Sequence, residues 1–467
     1  MLPVCHSAES LHLWFELAHL AQCSAVMSVS TGPSGKNIDY LSQLDVFMSD
    51  PKVASPTEVT ADYDGDTDTS KLASMAKLFQ ENTLFFLFGS GSNQHNQLLL
   101  GSDDNNACLV NGEDAHELQE IVLCAPTGTS KDVKKIVGGG GHSGLLTNDG
   151  SLFLWGWNSS GQLGRPPNSS QSSTTPPLPV IPRLASCAVE DVALGFGHTV
   201  VIEKGSGRLL AFGDNERGQV LGSVGTKSVA EPTTPAIAKG LSFVRVAAGL
   251  FHSAAVTTEG DLITFGCLRF GQSLPEPWRP NDGSRIVDVA CGRRHTVALD
   301  EHGRVWTMGE SKRGQLGRNV DSNKGPGLVD GFLGEKQSGC VRVGSGWSHT
   351  IATVETPSGE SHIYGWGRND KGQLGFQSPE EQVSTPTRLF QERDVKDVAC
   401  GSECTVIQDV NQTILGCGWN EHGNLATGND QDAFVLQKTQ GAPIVSPGSA
   451  DDILMAVGGG HLLTMKR

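Results

Sequence analysis

Short apolar runs separated by glycine-rich polar turns recur along the chain from about residue 82 onward. One such unit begins FVRVAAG, continues with HSAAVT, turns through a TxEG-type segment and resumes with DLITFG. These runs have the length and the period-two character of short strands, and the glycines between them are typical of tight turns. Each unit therefore predicts three short strands, and a fourth can be drawn from the less regular segment that follows.

The first half of the unit is a glycine followed three positions later by a histidine and an apolar strand. Its copies contain His142, His198, His252, His295, His349 and His461, with Cys404 in the equivalent place of one further copy. Successive copies lie 43 to 57 residues apart. The second half, of which LWGWNSSGQLG is an example, also occurs seven times. This spacing is too regular for chance and predicts a repeat protein.

Seven units of four strands, at about 55 residues per unit, predict an all-β fold, a seven-bladed β-propeller. The first copy, residues 84–98, lacks the G-x-x-H half, whereas the last, residues 453–465, has only that half. The N- and C-terminal strands are therefore predicted to share one blade, which closes the ring and hides its sheet edges. The predicted domains are a propeller over residues 82–467 and a mostly disordered, acidic N-terminal tail over residues 1–81.

The glycine-rich stretch GGGGHSG, which begins at Gly138, has a second interpretation as a phosphate-binding loop. Such a loop needs a lysine for the phosphate charge and a serine or threonine for the metal, and it leads into a helix. Here the glycines run into His142, Ser143 and an apolar strand. Because the same stretch recurs as one half of the repeat, the structural interpretation is favoured.

The motif G-x-x-H-S/T followed by W/F-G-x-N-x-x-G-Q-L-G resembles the regulator of chromosome condensation repeat family. The resemblance covers about residues 82–467 and implies a seven-bladed propeller. The segment GCGWNEHGN, residues 416–424, and the absence of a basic tail resemble the alpha-tubulin suppressor and secretion-regulating guanine nucleotide exchange factor branch more than the nuclear exchanger for Ran. For function, the resemblance implies guanine nucleotide exchange on a small GTPase, which proceeds without a covalent step.

The net charge limits the kinds of partner, and the cysteine content indicates the compartment. A formal net charge of -16 and the absence of any Lys/Arg-rich run exclude nucleic acid as a direct partner. The 11 cysteines contain no CxxC pair, so we expect reduced thiols and a cytoplasmic location, with the nucleus as a second compartment. No apolar run reaches the roughly 20 residues of a membrane span. The apolar stretch near Glu16 is expected to be a short amphipathic helix, or sequence upstream of a start at Met27.

The sequence motifs do not indicate a catalytic or metal-binding site. The motif histidines are distributed around a ring and cannot converge on one metal ion. There is no GxSxG and no HExxH sequence, which argues against a hydrolase or a metalloenzyme. We therefore expect no catalytic residues, no metal and no cofactor. The motif histidines are expected to be hydrogen-bonded within each blade, and the Gln-Leu pairs to pack one blade against the next.

Function is expected in residues that vary between copies. Because alternate loops of an up-and-down blade lie on the same face, the G-x-x-H and G-x-N-x-x-G loops should form one surface. The candidate partner-binding residues on it are Trp157, Phe251, Arg293, Arg294, Trp347, Arg368, Trp419, Glu421 and His422. Trp and Arg are typical anchors of protein-binding sites. The alternative for any single Trp is packing on the neighbouring blade.

Two segments depart from the regular unit. Residues 101–130 contain the acidic EDAHELQE, and residues 165–183 are rich in proline and serine. Each is interpreted as a tolerated insertion, with a contact or modification loop as the alternative. Taken together, the sequence predicts a monomeric, non-catalytic propeller that binds and regulates a protein partner. The alternative is a guanine nucleotide exchange factor for a small GTPase.

Overall fold

The computed structural model describes residues 82–99, 114–126, 129–167, 188–319, 325–330, 340–356, 360–441 and 452–466. These residues lie within the compact unit formed by Glu81–Gly101 and Leu109–Arg467. The predicted acidic tail over residues 1–81 and most of the proline-rich segment 165–183 fall outside the described residues.

The described part of the chain is built almost wholly from strands, with one 3₁₀ turn at Ala236–Ala238. The strands are, in chain order, β1 (Asn82–Gly91), β2 (Ala115–Pro126), β3 (Val133–Gly138), β4 (His142–Thr147), β5 (Leu152–Gly156), β6 (Val189–Leu194), β7 (His198–Glu203), β8 (Leu209–Asp214), β9 (Ser228–Thr233), β10 (Phe243–Ala248), β11 (His252–Thr257), β12 (Leu262–Gly266), β13 (Ile286–Cys291), β14 (His295–Asp300), β15 (Val305–Gly309), β16 (Gly327–Leu328), β17 (Cys340–Ser345), β18 (His349–Glu355), β19 (Ser361–Arg368), β20 (Gln382–Leu389), β21 (Val395–Cys400), β22 (Cys404–Asp409), β23 (Ile414–Gly418), β24 (Ala433–Lys438), β25 (Ile453–Val457) and β26 (His461–Lys466).

These strands form seven antiparallel sheets, the blades of a propeller, which confirms the predicted fold. From the axis outward the blades are blade 1 (β25, β26, β1, β2), blade 2 (β3–β5), blade 3 (β6–β9), blade 4 (β10–β12), blade 5 (β13–β16), blade 6 (β17–β20) and blade 7 (β21–β24). Blade 4 has a single bridge between Leu262 and Trp278 in place of a fourth strand.

Blade 1 closes the ring with strands from both ends of the repeat region, as predicted. β1 pairs antiparallel with β26, with Phe88 opposite Thr464 and Gly91 opposite His461. The outer strand of this blade is β2, which contains most of the acidic EDAHELQE stretch. The interpretation of residues 101–130 as an insertion was therefore wrong for residues 115–126, because they supply the fourth strand that the blade needs.

The apolar core lies between neighbouring blades. One cluster combines Val137 and Leu154 of blade 2 with Val192 and Phe212 of blade 3. The second strand of a blade is covered on both faces, and every residue of β7 is buried. This position explains why the second strands read HTVVIE or HSAAVT, with apolar residues in succession rather than in alternation.

The motif histidines join the blades to one another. Nε2 of His142 lies 3.1 Å from the hydroxyl of Thr199 in the next blade. The same contact, at 2.9 to 3.2 Å, joins His198 to Ser253, His252 to Thr296, His295 to Thr350, His349 to Thr405 and His461 to Ser143. The prediction of hydrogen bonds within each blade was therefore wrong. The histidine begins a strand that is sandwiched between two blades, so its nearest hydroxyl partner lies across the interface.

The hydroxyl partners also show which ring nitrogen of each motif histidine carries the proton. The Thr199 hydroxyl donates to the Gln162 carbonyl at 2.7 Å, so it accepts from a protonated Nε2 of His142. Burial lowers the pKa of His142 and His198 to about 3. These side chains are therefore neutral donors at physiological pH.

The motif glycine gives the imidazole its space. A methyl group on Gly292 would lie 2.2 Å from Cε1 of His295, and one on Gly195 would lie 2.3 Å from Cε1 of His198. Such a contact is far inside van der Waals distance, so any other residue would displace the ring. The G-x-x-H spacing is thus a packing requirement of the blade interface.

Candidate functional site

The two motif loops of each blade form one surface, which we call the motif face. The G-x-N-x-x-G loop donates a backbone hydrogen bond to the G-x-x-H loop in all seven blades, at 2.7 to 2.9 Å. Examples are Trp157 N to Gly141 O and Trp419 N to Glu403 O. The candidate residues of both loops are therefore displayed on the same side of the ring.

A closed ring of backbone hydrogen bonds makes the centre of the motif face rigid. Each G-x-x-H loop donates to the loop of the following blade, from Gly140 N to Gly195 O and round to Gly459 N to Gly139 O, at 2.7 to 3.4 Å. These loops surround an axial cavity of about 80 Å³. Side chains that follow the first glycine of each loop therefore project from a fixed frame at the mouth of the cavity.

An aromatic cluster, defined as His95, Trp157, Phe196 and Trp347, lies at this mouth. His95 stacks on Trp157 with ring centroids 5.2 Å apart, and Trp157 meets Phe196 edge-on at 5.8 Å. Phe196 contacts Trp347 at 6.2 Å. Because these last two rings come from blades 3 and 6, which are not neighbours, the cluster reaches across the axis. The guanidinium of Arg293 lies 5.5 Å from the Trp347 ring, within cation–π range.

Phe196 and His95 were missed by the sequence reasoning. Phe196 connects Trp157 to Trp347, yet only the two tryptophans were selected from the sequence. The available signal was positional, since Phe196 in GFGH occupies the same loop position as Trp347 in GWSH. His95 gave no comparable signal, because its contact with Trp157 joins blades 1 and 2.

A second group lies where blade 7 meets blade 1. The Trp419 indole donates to Glu421 at 3.1 Å, and its ring meets His422 edge-on at 5.2 Å. Nδ1 of His422 lies 2.6 Å from a carboxylate oxygen of Asp114. Trp419 and His422 both lie over Gly460 of blade 1. These residues therefore contribute to blade packing as well as to the surface.

Of the remaining candidates, Arg368 and Arg294 are held by charge. Arg368 makes ion pairs with Asp370, at 2.6 Å, and with Glu403. Burial raises the pKa of Glu403, and the Arg368 charge opposes that rise. Arg294 lies 3.2 Å from Glu310, with its guanidinium 4.4 Å from the Phe270 ring. Phe251 is half-buried in the G-x-x-H loop of blade 4.

All nine predicted partner-binding residues thus lie on the motif face, but in separate groups rather than in one continuous site. The aromatic cluster brings together Trp157, Trp347 and Arg293. The edge of the Trp157 ring also lies 3.9 Å from the place that a methyl group on Gly197 would occupy. The alternative of packing on the neighbouring blade therefore holds in part for this ring. That these residues bind a partner stays a prediction.

The opposite face of the propeller, formed where the first strands begin, carries cations that are already paired. Lys134 lies 2.6 Å from Glu190, Lys135 lies 2.9 Å from Asp191, and Arg342 lies 2.6 Å from Asp397. Each pair joins neighbouring blades. These charges stabilise blade contacts and offer less free charge to a ligand than an unpaired cation would.

Other chemistry has little structural support among the residues that the structure describes. In that part of the chain, no three or more His, Cys, Asp or Glu side chains are grouped to hold a metal ion. Nor does any helix there have the length and apolarity to span a membrane. Burial raises the pKa of the Cys400 and Cys404 thiols to about 12, which makes them poor nucleophiles.

Comparison with known proteins agrees with this geometry. A family model described as the RCC1-like domain matches residues 85–465. The chain is 29% identical over 416 residues to a secretion-regulating guanine nucleotide exchange factor of Mus musculus, covering 81% of this chain and 83% of the relative. The Bos taurus protein of that name is 30% identical over 390 residues, covering 76% of this chain and 78% of the relative. Among solved structures, Prp20p of Saccharomyces cerevisiae superposes with a TM-score of 0.65 at 19% identity, covering 83% of this chain and 92% of that chain.

Proposed function

The chain belongs to the RCC1-like domain family, and we propose that it acts there as a non-catalytic propeller that binds and regulates a protein partner. The observation that carries the proposal is the aromatic cluster with Arg293 at the centre of the motif face. Trp, Tyr and Arg are enriched among the residues that dominate protein interfaces, and such residues lie near the interface centre.

Rigidity supports the same proposal. The backbone ring fixes the loops that display Phe196 and Trp347, so little conformational entropy is lost when a partner binds. Within the cluster, Trp157, Phe196 and Trp347 are half-buried and His95 is exposed, so their outer surface is open to solvent. A partner that covers it would remove the remaining aromatic surface from water. We also propose the cytoplasm as the place of binding, with the nucleus as a second location.

Guanine nucleotide exchange on a small GTPase is the second candidate function. Two relatives that align with about four-fifths of the chain bear the name of a guanine nucleotide exchange factor. Exchange requires only that the propeller bind the nucleotide-free GTPase more tightly than the loaded form. A rigid binding face can supply that difference in affinity without a catalytic residue.

The test is affinity capture with the intact chain, in lysate depleted of nucleotide, followed by mass spectrometry. The wild-type chain is compared with Trp347→Ala and with Phe434→Ala, since Phe434 is an exposed aromatic residue on the outer strand β24. A partner held by the motif face is lost with Trp347→Ala and retained with Phe434→Ala. A GTPase that is captured and then released by added GTP supports exchange. Equal capture by all three chains would contradict the assignment to the motif face.

A further inference from the structure

A groove of about 860 Å³ lies on the motif face where blades 4, 5 and 6 meet. Its charged lining residues are Arg269, Arg294, Glu310, Lys312 and Arg318. Four cations and one carboxylate make this groove positive, although the whole chain has a net charge of -16. A concave site lined by one sign of charge concentrates the electric field and attracts ligands of the other sign.

The groove coincides with the two blades in which the repeat loses a structural residue. In the other five blades, the Asn of the G-x-N-x-x-G loop accepts a backbone N–H from five residues further on, at 2.8 to 3.1 Å. Blade 4 has Leu268 at this position and blade 5 has Ser311. Leu268 is 57% exposed, so it does not replace the Asn by packing inward. Departures from a structural rule are expected at functional positions.

Three of the four cations of the groove have no ion pair among the described residues, unlike Lys134, Lys135 and Arg342 on the opposite face. Arg318 donates to the carbonyls of Thr307 at 3.0 Å and Gly325 at 2.8 Å. Within the described ranges no carboxylate pairs with Arg318, and burial lowers the pKa of its guanidinium. Arg269 and Lys312 are exposed and likewise have no ion pair among the described residues. Glu310 offsets only Arg294.

We propose that this groove binds an acidic, extended segment of the protein partner, an inference that rests on the proposed function. Carboxylates of the segment would pair with Arg269, Lys312 and Arg318. Leu268, which is exposed next to Arg269, would contact an apolar residue of the segment. Charge complementarity of this kind raises association rates and fixes the register of the bound segment.

Nucleic acid fits the groove less well than an acidic polypeptide. Single-stranded binding sites combine a positive track with aromatic faces on which bases stack. The Phe270 ring has the Arg294 guanidinium 4.4 Å from its centroid and that of Arg269 at 5.4 Å, so its stacking surface is already occupied. The acidic remainder of the chain would also repel a phosphate backbone.

The test measures binding of a fluorescein-labelled peptide of alternating glutamate and leucine to the full chain, by fluorescence anisotropy at low salt. The double variant Arg269→Glu/Lys312→Glu is compared with Lys239→Glu/Lys438→Glu, which changes the net charge equally at exposed lysines outside the groove. We expect the groove variant to bind about tenfold more weakly or worse, and the control variant to stay within about twofold of wild type. Thermal melting of both variants checks that they fold.

Three outcomes overturn the inference. One is a wild-type chain that does not bind the peptide, and another is an equal loss in both double variants, which would reflect net charge alone. The third is tighter binding of a labelled oligothymidylate than of the peptide. Trp347→Ala, which alters the aromatic cluster only, should bind the peptide normally. If the chain captures a partner through Trp347 but does not bind the peptide, the assignment of the groove is wrong and the proposed function is unaffected.

Discussion

Nε2 of His461 lies 2.9 Å from the hydroxyl of Ser143, although 318 residues separate them in the chain. This contact joins blade 1 to blade 2 at the point where the ring closes. Leu463 and Met465 of the same strand, β26, are buried in a cluster that also contains Phe85 and Phe153. The C-terminal strands therefore hold the first blade and its neighbour together.

Deletion of residues 453–467 should lower the melting temperature of the whole chain and promote aggregation. The deletion removes β25 and β26, leaves the edge of β1 unpaired and exposes the apolar cluster. Thermal melting and light scattering measure both effects. Deletion of Arg467 alone should melt as the wild type does. An unchanged melting temperature after the larger deletion would show that the shared blade does not stabilise the ring.

The interface between blades 7 and 1 departs from the other six and offers a paired test. Cys404 replaces the histidine, and Leu462 stands where the other blades have Ser or Thr. Both side chains are buried in one apolar cluster. Cys404→His alone should reduce the free energy of unfolding by about 1–3 kcal/mol, because it places a larger, polar ring beside Leu462 in this apolar cluster.

The double variant Cys404→His/Leu462→Thr should recover part of that loss. It recreates the His–hydroxyl pair of the other interfaces, and the Thr hydroxyl gains the Asn424 carbonyl as an acceptor by analogy with Gln162. Urea unfolding is measured on the wild type, Cys404→His, Leu462→Thr and the double variant. The four free energies of unfolding give the coupling free energy between the two positions, which we expect to be favourable by about 1 kcal/mol. Additive effects would mean that the two positions do not contact each other as the repeat implies.

Stability should fall as the pH falls from about 6.5 to about 4. Burial lowers the pKa of His295 to about 3 and those of His252, His349 and His461 to about 4. Unfolded histidines titrate near 6.5, so the unfolded state binds more protons in this interval and is favoured. Melting temperature against pH measures the slope. His252→Gln, which cannot titrate, should make the dependence shallower, and an identical slope would argue that His252 does not titrate differently on unfolding.

Partner binding should depend more on Trp347, Trp419 and the Glu421–His422 pair than on any motif histidine. Truncation of a buried interface Trp can cost about 2 kcal/mol or more, which is about thirtyfold in affinity. The motif histidines contact the next blade and are buried, so His295→Ala should lower the melting temperature. Affinity and melting are measured on the same variants. Normal affinity with early unfolding in Trp347→Ala and Trp419→Ala would identify both as blade-packing residues.

The repeat by itself determined the fold, the number of blades and the shared closing blade. A spacing of 43 to 57 residues between motif copies leaves each unit room for four short strands. The first repeat copy, which contains Phe85, and the last, which contains His461, each have only one half of the repeat. This indicated that the two ends share a blade, because an open ring would expose sheet edges. The sequence also placed both motif loops on one face, since strands of an up-and-down blade alternate in direction.

Only the tertiary structure decided which residues meet across blades. The prediction of histidine bonds within blades failed because strand period shows which side of a sheet a residue occupies, and not which neighbour lies beyond it. The same reason hid the role of Phe196, which contacts a Trp from a distant blade. The groove between Arg269 and Arg318 was equally invisible, since its charges come from loops of separate blades. Contacts between distant segments depend on how the blades pack, which no local pattern encodes.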